Sequence, residues 1–390
     1  MEICAQVKNF CAVRIVSKSA VKSDYRLTMP LSFPGLLKWF IAVVSVLLLS
    51  GLSRSTAQGQ TLLTGGGATF PHPIYARWIA EFQKLHPDIE IEYNAIGSGA
   101  GIREITAGVF DFGASDGPMD DAQLKEYRAK RGMAILHFPT VLGADVPTYN
   151  IPGVTAELKF TPEALAGIFL GKITKWDDPQ LTRTNPEAKL PNHEIVVAFR
   201  SDGSGTTYIW TDYLAKVSEE WNAGIGFGTT VPWPVGLAGR GNGGVAAIVK
   251  QTPYSIGYVE LAYAVKNRLA YGWVKNRAGN FVKANLESIA AAAAEVAHNM
   301  PADFRVSITN APGEKAYPIS SFTWLLVPEK FDDKNMLRVM KDFLQWISTD
   351  GQKLTQELLY VPLPAEIVAI KSRPLSARSN EVGLCRTGRL

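Results

Sequence analysis

Four short loops of glycine and hydroxyl residues interrupt this chain, at residues 64–71, 96–101, 111–118 and 199–207, and three of them open a helical pattern. Leu62-Leu63 leads into the first, and Ile74, Trp78 and Phe82 follow it at helical spacing. Ile89, Ile91 and Tyr93 alternate as a strand before the second. The run from Ile195 to Phe199 leads into the fourth, and Tyr208, Ile209 and Leu214 follow. Repeated strand, loop and helix predicts an α/β fold with a mainly parallel sheet. Glycines let backbone approach a bound group closely, and a helix N-terminus presents free N–H groups and positive potential.

The fourth loop, Phe199-Arg200-Ser201-Asp202-Gly203-Ser204-Gly205-Thr206-Thr207, adds a guanidinium and places Ser204 as a helix N-cap. Arginine fork, backbone N–H groups and helix end together favour an oxyanion. Taken alone, an ordinary Gly/Ser turn with a surface Arg–Asp pair explains this loop as well. Four such loops fit one anion site assembled from several segments.

The ordered set resembles the phosphate-specific substrate-binding proteins of bacterial phosphate ABC transporters. The resemblance rests on Thr64-Gly65-Gly66-Gly67-Ala68-Thr69-Phe70-Pro71, Ile96-Gly97-Ser98-Gly99, Asp111-Phe112-Gly113-Ala114-Ser115-Asp116 and Asp202-Gly203-Ser204-Gly205-Thr206. Residues 166–176 and Ile256-Gly257-Tyr258-Val259-Glu260 extend it, so that it covers roughly residues 60 to 372. It implies a two-lobed periplasmic-binding-protein fold with a hinge and a ligand cleft. Lobe one is expected at 60–142 plus 312–372 and lobe two at 143–311. It implies inorganic phosphate as ligand, with hydrogen bonds from Thr69, Phe70, Ser98, Arg200, Ser204, Gly205 and Thr206, and with Ala68 lining the site through its backbone. Asp202 would hold the Arg200 fork. One departure stands out: Gly99 and Ala100 occupy positions where family members often carry a serine and a glycine.

Asp116 is the discriminating residue. A carboxylate beside an anion is unfavourable unless it accepts the anion's proton, which phosphate has and fully ionised sulfate lacks. Sites built to hydrogen-bond a group reject analogues lacking it by roughly 10⁴–10⁵. This reading predicts phosphate, with arsenate, over sulfate. The competing reading of Asp116 is a helix cap before Pro118.

Targeting changes how the charge is read. The chain carries +4 overall, but residues 1–57 hold seven Lys/Arg and two acids, and the remaining 33 basic and 34 acidic residues nearly balance. A near-neutral body argues against nucleic-acid binding. Lys38, the apolar run from Trp39 to Ser53 and Ser55-Thr56-Ala57 read as a cleavable secretory signal within 1–57, with Met29 as a second possible start. The run is short for a membrane span, which needs about 20 residues. Cys4, Cys11 and Cys385 leave the mature chain no internal disulfide, and no cysteine stands at the cleavage site. The expectation is a periplasmic, soluble monomer that delivers phosphate to the permease subunits of an ABC importer, followed by a 373–390 tail.

Further along, Thr161-Pro162 starts a helix that Gly171 ends, and residues 241–250, 287–298 and 335–347 read as helices. Residues 134–136, 255–260 and 322–327 read as strands. Trp176 and its neighbours read as a helix-ending turn or a docking edge. Two other functions compete: a receptor for another oxyanion or a phosphate ester, and a secreted phosphate-ester hydrolase. Against the hydrolase, His72, His86, His137, His193 and His298 show no ligand spacing, and no nucleophile elbow or P-loop is present. No cofactor, metal or catalytic residue is expected, and the chain is read as a non-enzyme.

Overall fold

A computed structural model describes residues 60–297 and 300–371. The expected signal segment, Met29, the three cysteines, His298 and the 373–390 tail lie outside the described residues.

The strands are β1 (Thr61–Gly67), β2 (Ile89–Asn94), β3 (Phe112–Ser115), β4 (Ile135–Asn150), β5 (Lys159–Phe160), β6 (Val196–Arg200), β7 (Leu237–Gly239), β8 (Ser255–Glu260), β9 (Ala270–Tyr271), β10 (Trp273–Lys275), β11 (Phe281–Val282) and β12 (Ser320–Pro328). The main helices are α1 (His72–Leu85), α2 (Ser98–Ala107), α3 (Asp121–Arg131), α4 (Pro162–Phe169), α5 (Gly205–Val217), α6 (Gly241–Gln251), α7 (Leu286–Ala297) and α8 (Lys334–Ser348).

The large sheet runs β2-β1-β3-β12-β4-β8-β6-β7, with β9 on β4, and a small sheet runs β11-β10-β5. The β2-β1-β3 and β8-β6-β7 groups are parallel, as the repeating pattern predicts. The junctions through β12 and β4 are antiparallel, so the whole sheet is mixed rather than mainly parallel. The long strand β4 explains this. Its Ile135–Ala144 stretch pairs with β12, and its Asp145–Asn150 stretch pairs with β8. One strand therefore pairs first with β12 and then with β8.

Pro139 interrupts the apolar pattern of β4, of which only residues 134–136 read as strand from the sequence. The ladder accommodates it at a register shift between Thr323 and Trp324 on β12, next to the Pro139 pairing. A bulge tolerates a residue that has no N–H to donate. The first glycine loop also differs from expectation, because β1 continues through Gly67. At Gly65 a Cβ would stand 2.2 Å from the Phe112 ring, so only glycine can carry the strand past that residue.

Helix boundaries follow local chemistry. Thr161 caps α4 through the Ala164 N–H, and α3 begins with a reciprocal capping box between Asp120 and Gln123. α2 ends on Gly108 in the left-handed conformation. In lobe one α1 packs its buried face, Ile74, Trp78 and Phe82, toward α8. The Trp78 indole N–H donates to the Gly351 carbonyl at 2.7 Å, and Phe82 meets Phe343 at 5.2 Å between ring centroids. Trp176 is fully buried and donates to the Tyr254 carbonyl at 2.9 Å. That makes it part of a packed turn and excludes its indole from a docking edge.

Trp78→Ala removes a fully buried ring and a hydrogen bond. A loss of about 3–5 kcal/mol is expected, read as a lowered urea midpoint with an unchanged slope.

Candidate functional site

The loops predicted to converge do converge. Gly205, the first residue of α5, marks the meeting point. A Cβ built there would lie 2.5 Å from the Asp116 side chain and 2.5 Å from the Ser98 hydroxyl. The start of α5 thus touches the loops that carry Ser98 and Asp116, with no room for a side chain between them. Ser98, Asp116, Arg200, Ser204, Thr206 and Phe70 are almost wholly buried, and Thr69 nearly so.

Arg200 ends β6, and three of the five N–H groups of its guanidinium are used within the protein. Nε donates to Asp202 Oδ1 at 2.8 Å, Nη2 to Oδ2 at 2.5 Å, and Nη1 to the Thr206 hydroxyl at 3.1 Å. Asp202 also accepts the Gly241 N–H at 2.9 Å. Burial works against the Asp202 charge, but the Arg200 hydrogen bonds and charge, with the Gly241 N–H, hold its carboxyl below the usual range. Gly97, at φ 98, passes so close to Asp202 that a Cβ would stand 2.3 Å from Oδ2. The Gly99 N–H then donates to the Gly203 carbonyl at 2.9 Å, a second contact between the 96–101 and 199–207 loops. Gly99, where the resemblance led us to expect a serine, therefore supplies its N–H to a protein carbonyl.

Asn242, in the first turn of α6, organises the hydroxyls. Its side-chain amide donates to the Thr69 hydroxyl at 3.0 Å and the Thr206 hydroxyl at 2.9 Å, while its carbonyl accepts the Glu260 N–H at 2.8 Å. Every hydrogen bond to the Thr69, Ser204 and Thr206 hydroxyls among the described residues uses the oxygen as acceptor. Their protons are therefore directed to donate elsewhere.

Three tyrosines fix the first loop. Tyr93, Tyr263 and Tyr360 donate to the carbonyls of Ala68, Thr69 and Phe70 at 2.6, 2.7 and 2.6 Å. The Ala68 N–H is engaged by the Ala114 carbonyl at 3.0 Å, so Ala68 contributes shape rather than a donor. The N–H groups of Thr69 and Phe70 find no acceptor among the described residues. Those of Gly205 and Thr206 belong to the first turn of α5, which has no carbonyl of its own to meet.

Asp116 stands among these donors as an acceptor. Oδ1 takes the Thr323 hydroxyl at 2.7 Å, and Oδ2 lies 3.4 Å from the Ser98 hydroxyl. It caps no helix, since Asp120 caps α3. Burial pushes the Asp116 carboxyl up to about 7, against the opposing pull of Thr323, Arg200 and Ser98. His72, the histidine nearest this loop, stacks on Tyr93 at 6.2 Å, and burial with nearby Lys266 lowers its proton affinity. Among the described residues no cluster of three or more His, Cys, Asp or Glu could hold a metal ion.

Asn242, Thr323 and the three tyrosines are the site residues that sequence reasoning missed. The only signal was the Gly-Asn-Gly-Gly opening of α6.

Comparison with known proteins gives the family. The profile of the PBP superfamily domain matches residues 53–350. The chain belongs to the PBP superfamily and, within it, to the PstS family of phosphate-binding proteins. The phosphate-binding protein PstS of Pasteurella multocida is 44% identical over 314 residues, which span 80% of this chain and 89% of that protein. The PstS of Methanocaldococcus jannaschii is 42% identical, over 82% and 86%. Among solved structures, a high-affinity periplasmic phosphate-binding protein with bound phosphate aligns with TM-score 0.61 at 21% identity, covering 79% of this chain and 92% of that one. A phosphate-binding protein from Stenotrophomonas maltophilia aligns with TM-score 0.59 at 20% identity, over 81% and 95%. These structures share the two-lobed fold, and the family is one of transport receptors rather than enzymes.

Two variants probe the site. Gly205→Ala forces a methyl group against Asp116 and Ser98; it is expected to abolish anion binding in a protein that still folds, as followed by calorimetry and circular dichroism. Asp116→Asn tests the raised carboxyl. Asp116 holds its proton more tightly folded than unfolded, so its contribution to stability falls as pH rises from about 4 to about 7. Each tenfold difference in proton affinity between the two states is worth roughly 1.4 kcal/mol. With the anion removed, the variant is expected to match the wild type near pH 4 and to melt at a higher temperature than it at pH 7 and beyond.

Proposed function

We propose that this chain captures inorganic phosphate in the periplasm and delivers it to the permease subunits of an ABC importer. The observation that carries the reading is the buried Asp116 acceptor set among donors: the Arg200 guanidinium, the Thr69, Ser98, Ser204 and Thr206 hydroxyls, and the N–H groups of Thr69, Phe70, Gly205 and Thr206. Near neutral pH phosphate offers oxygens that accept and an O–H that donates. Its O–H would meet Asp116, and its oxygens the donors. Hydrogen bonds to charged groups contribute about 1.5–3 kcal/mol each, and micromolar binding needs only about 8 kcal/mol after ordering costs.

The lobes are taken as 60–142 plus 312–372 and 143–311, with closure over the anion as a hinge motion about the shared strand. Export through a cleavable signal within 1–57 fits this role, as does a monomeric receptor. Among the described residues no helix is long and apolar enough to cross a membrane.

The test is titration calorimetry on protein unfolded and refolded to strip bound anion. Phosphate is expected to bind with a Kd of about a micromolar or tighter, and sulfate not at all. Asp116→Asn should lose phosphate affinity and gain sulfate. A well-folded wild type that ignores phosphate would sink the reading.

A further inference from the structure

The residue just past the partner switch in β4 is a carboxylate that the site described above does not use. Asp145 is fully buried, and it stands directly opposite Glu260 in the antiparallel β4–β8 pair. Opposed residues project from the same face, with their Cβ atoms about 5 Å apart. Neither carboxylate oxygen of Asp145, nor Oε1 of Glu260, has a hydrogen-bond partner among the described residues. Glu260 Oε2 accepts the Ala262 N–H at 2.8 Å and lies 3.2 Å from the Tyr360 hydroxyl. That hydroxyl has one proton, and it is directed at the Phe70 carbonyl at 2.6 Å. Two carboxylates this close, this dry and this short of donors cannot both stay ionised.

The surroundings offer no compensating cation. Asp145 feels Glu260 and Tyr258 on β8, Asp116 after β3, Tyr317 before β12 and Arg200 on β6. Glu260 in turn faces Tyr263, Tyr360 and Asp116. Arg200 is the one cation in this set, and Asp202 already balances it. Burial, then Asp116 and Glu260, pushes the Asp145 carboxyl well above its usual range, with Arg200 opposing. Burial does the same to Glu260, outweighing the Ala262 N–H, the longer 3.2 Å contact with Tyr360 and the Tyr263 N–H. An anion arriving between Asp116 and Arg200 adds negative charge to the same buried region.

We propose that Asp145 and Glu260 form a second proton-binding pair of the anion site, which takes up a proton from solvent when the anion is captured. The inference rests on the phosphate reading above. Without the anion the pair shares one proton. On capture a second proton leaves a solvent or buffer donor and bonds to the carboxylate oxygen that is still ionised, so that both groups, directly opposed across the ladder, become neutral. This uptake is separate from any proton shared between phosphate and Asp116.

Asp145→Asn keeps the shape and is neutral at every pH, so it stands in for the protonated residue. Wild type, Asp145→Asn and Glu260→Gln are titrated with inorganic phosphate from about pH 6 to about pH 9, in two buffers of different ionisation enthalpy. The wild type is expected to take up more protons per phosphate than either variant. Its affinity should fall more steeply with pH, by up to an additional tenfold per pH unit for one fully linked proton. Asp145→Asn should then bind tighter than wild type at the alkaline end. Infrared spectra of the phosphate-bound wild type should carry a protonated-carboxyl band that is missing from Asp145→Asn. Equal proton counts with parallel pH profiles in all three proteins would overturn the pair. If the folded wild type does not bind phosphate, the function reading fails instead; the infrared comparison, run without anion, then decides the pair, and no Asp145-dependent carboxyl band overturns it. Should Asp145→Asn not fold, Glu260→Gln carries the same comparison.

Discussion

The buried ion pair between Arg200 and Asp202 is the constraint on which the site depends. A guanidinium that is 1% exposed is tolerable only because a carboxylate engages two of its nitrogens in a fork-to-fork geometry. That requirement propagates outward. Asp202 can sit there because Gly97 has no side chain to collide with it, and because the Gly241 N–H at the start of α6 adds a further donor. Placing α6 places Asn242, and Asn242 sets the hydroxyls of Thr69 and Thr206. A single charge placement thus fixes loops from both lobes. An arginine-to-lysine exchange would keep the charge and lose this organisation.

The same logic explains how a region rich in acids can suit an anion. Hydroxyls are ambivalent, and a site full of them has no inherent preference for donating. Here the protein fills their acceptor side from Asn242, Arg200 and the Thr207 N–H, so that their protons are what remains to offer. Preorganisation of this kind is established in folding and need not be repeated at each binding event. Asp116 breaks the pattern, since its carboxylate accepts where the groups around it donate.

What the sequence made legible was local. Arg200, Asp202 and the Ser204 cap lie within five residues of one another, so strand, fork and helix start could be read from one loop. The α/β character and the convergence of four glycine loops were equally readable, because each loop carries its own strand and helix signals. The mixed sheet was not, since antiparallel joining of β12, β4 and β8 depends on pairings far apart in the chain. Pro139 concealed β4 because it has no N–H to give a ladder, and the bulge that accommodates it, with Thr140 of β4 left unpaired between Thr323 and Trp324 of β12, depends on a strand far along the chain. Gly65, Gly66 and Gly67 read as a turn although they are strand, since the reason for them is the packing of Phe112, Phe110 and Ala114 against their backbone. Asn242 and Thr323 are ordinary residue types whose role exists only once the lobes meet.

The tyrosine clamp on residues 68–70 has a temporal consequence. Its three hydroxyls come from positions 25, 194 and 290 residues further along than the carbonyls they hold. The last of them, Tyr360, stands near the end of the described chain. A polypeptide emerging N-terminus first owns the glycine loop almost from the outset and cannot lock it until nearly everything else has arrived. Contacts this distant in sequence form late. Binding competence therefore certifies completion: a chain cut short before Tyr360 has its glycine loop but not the whole clamp.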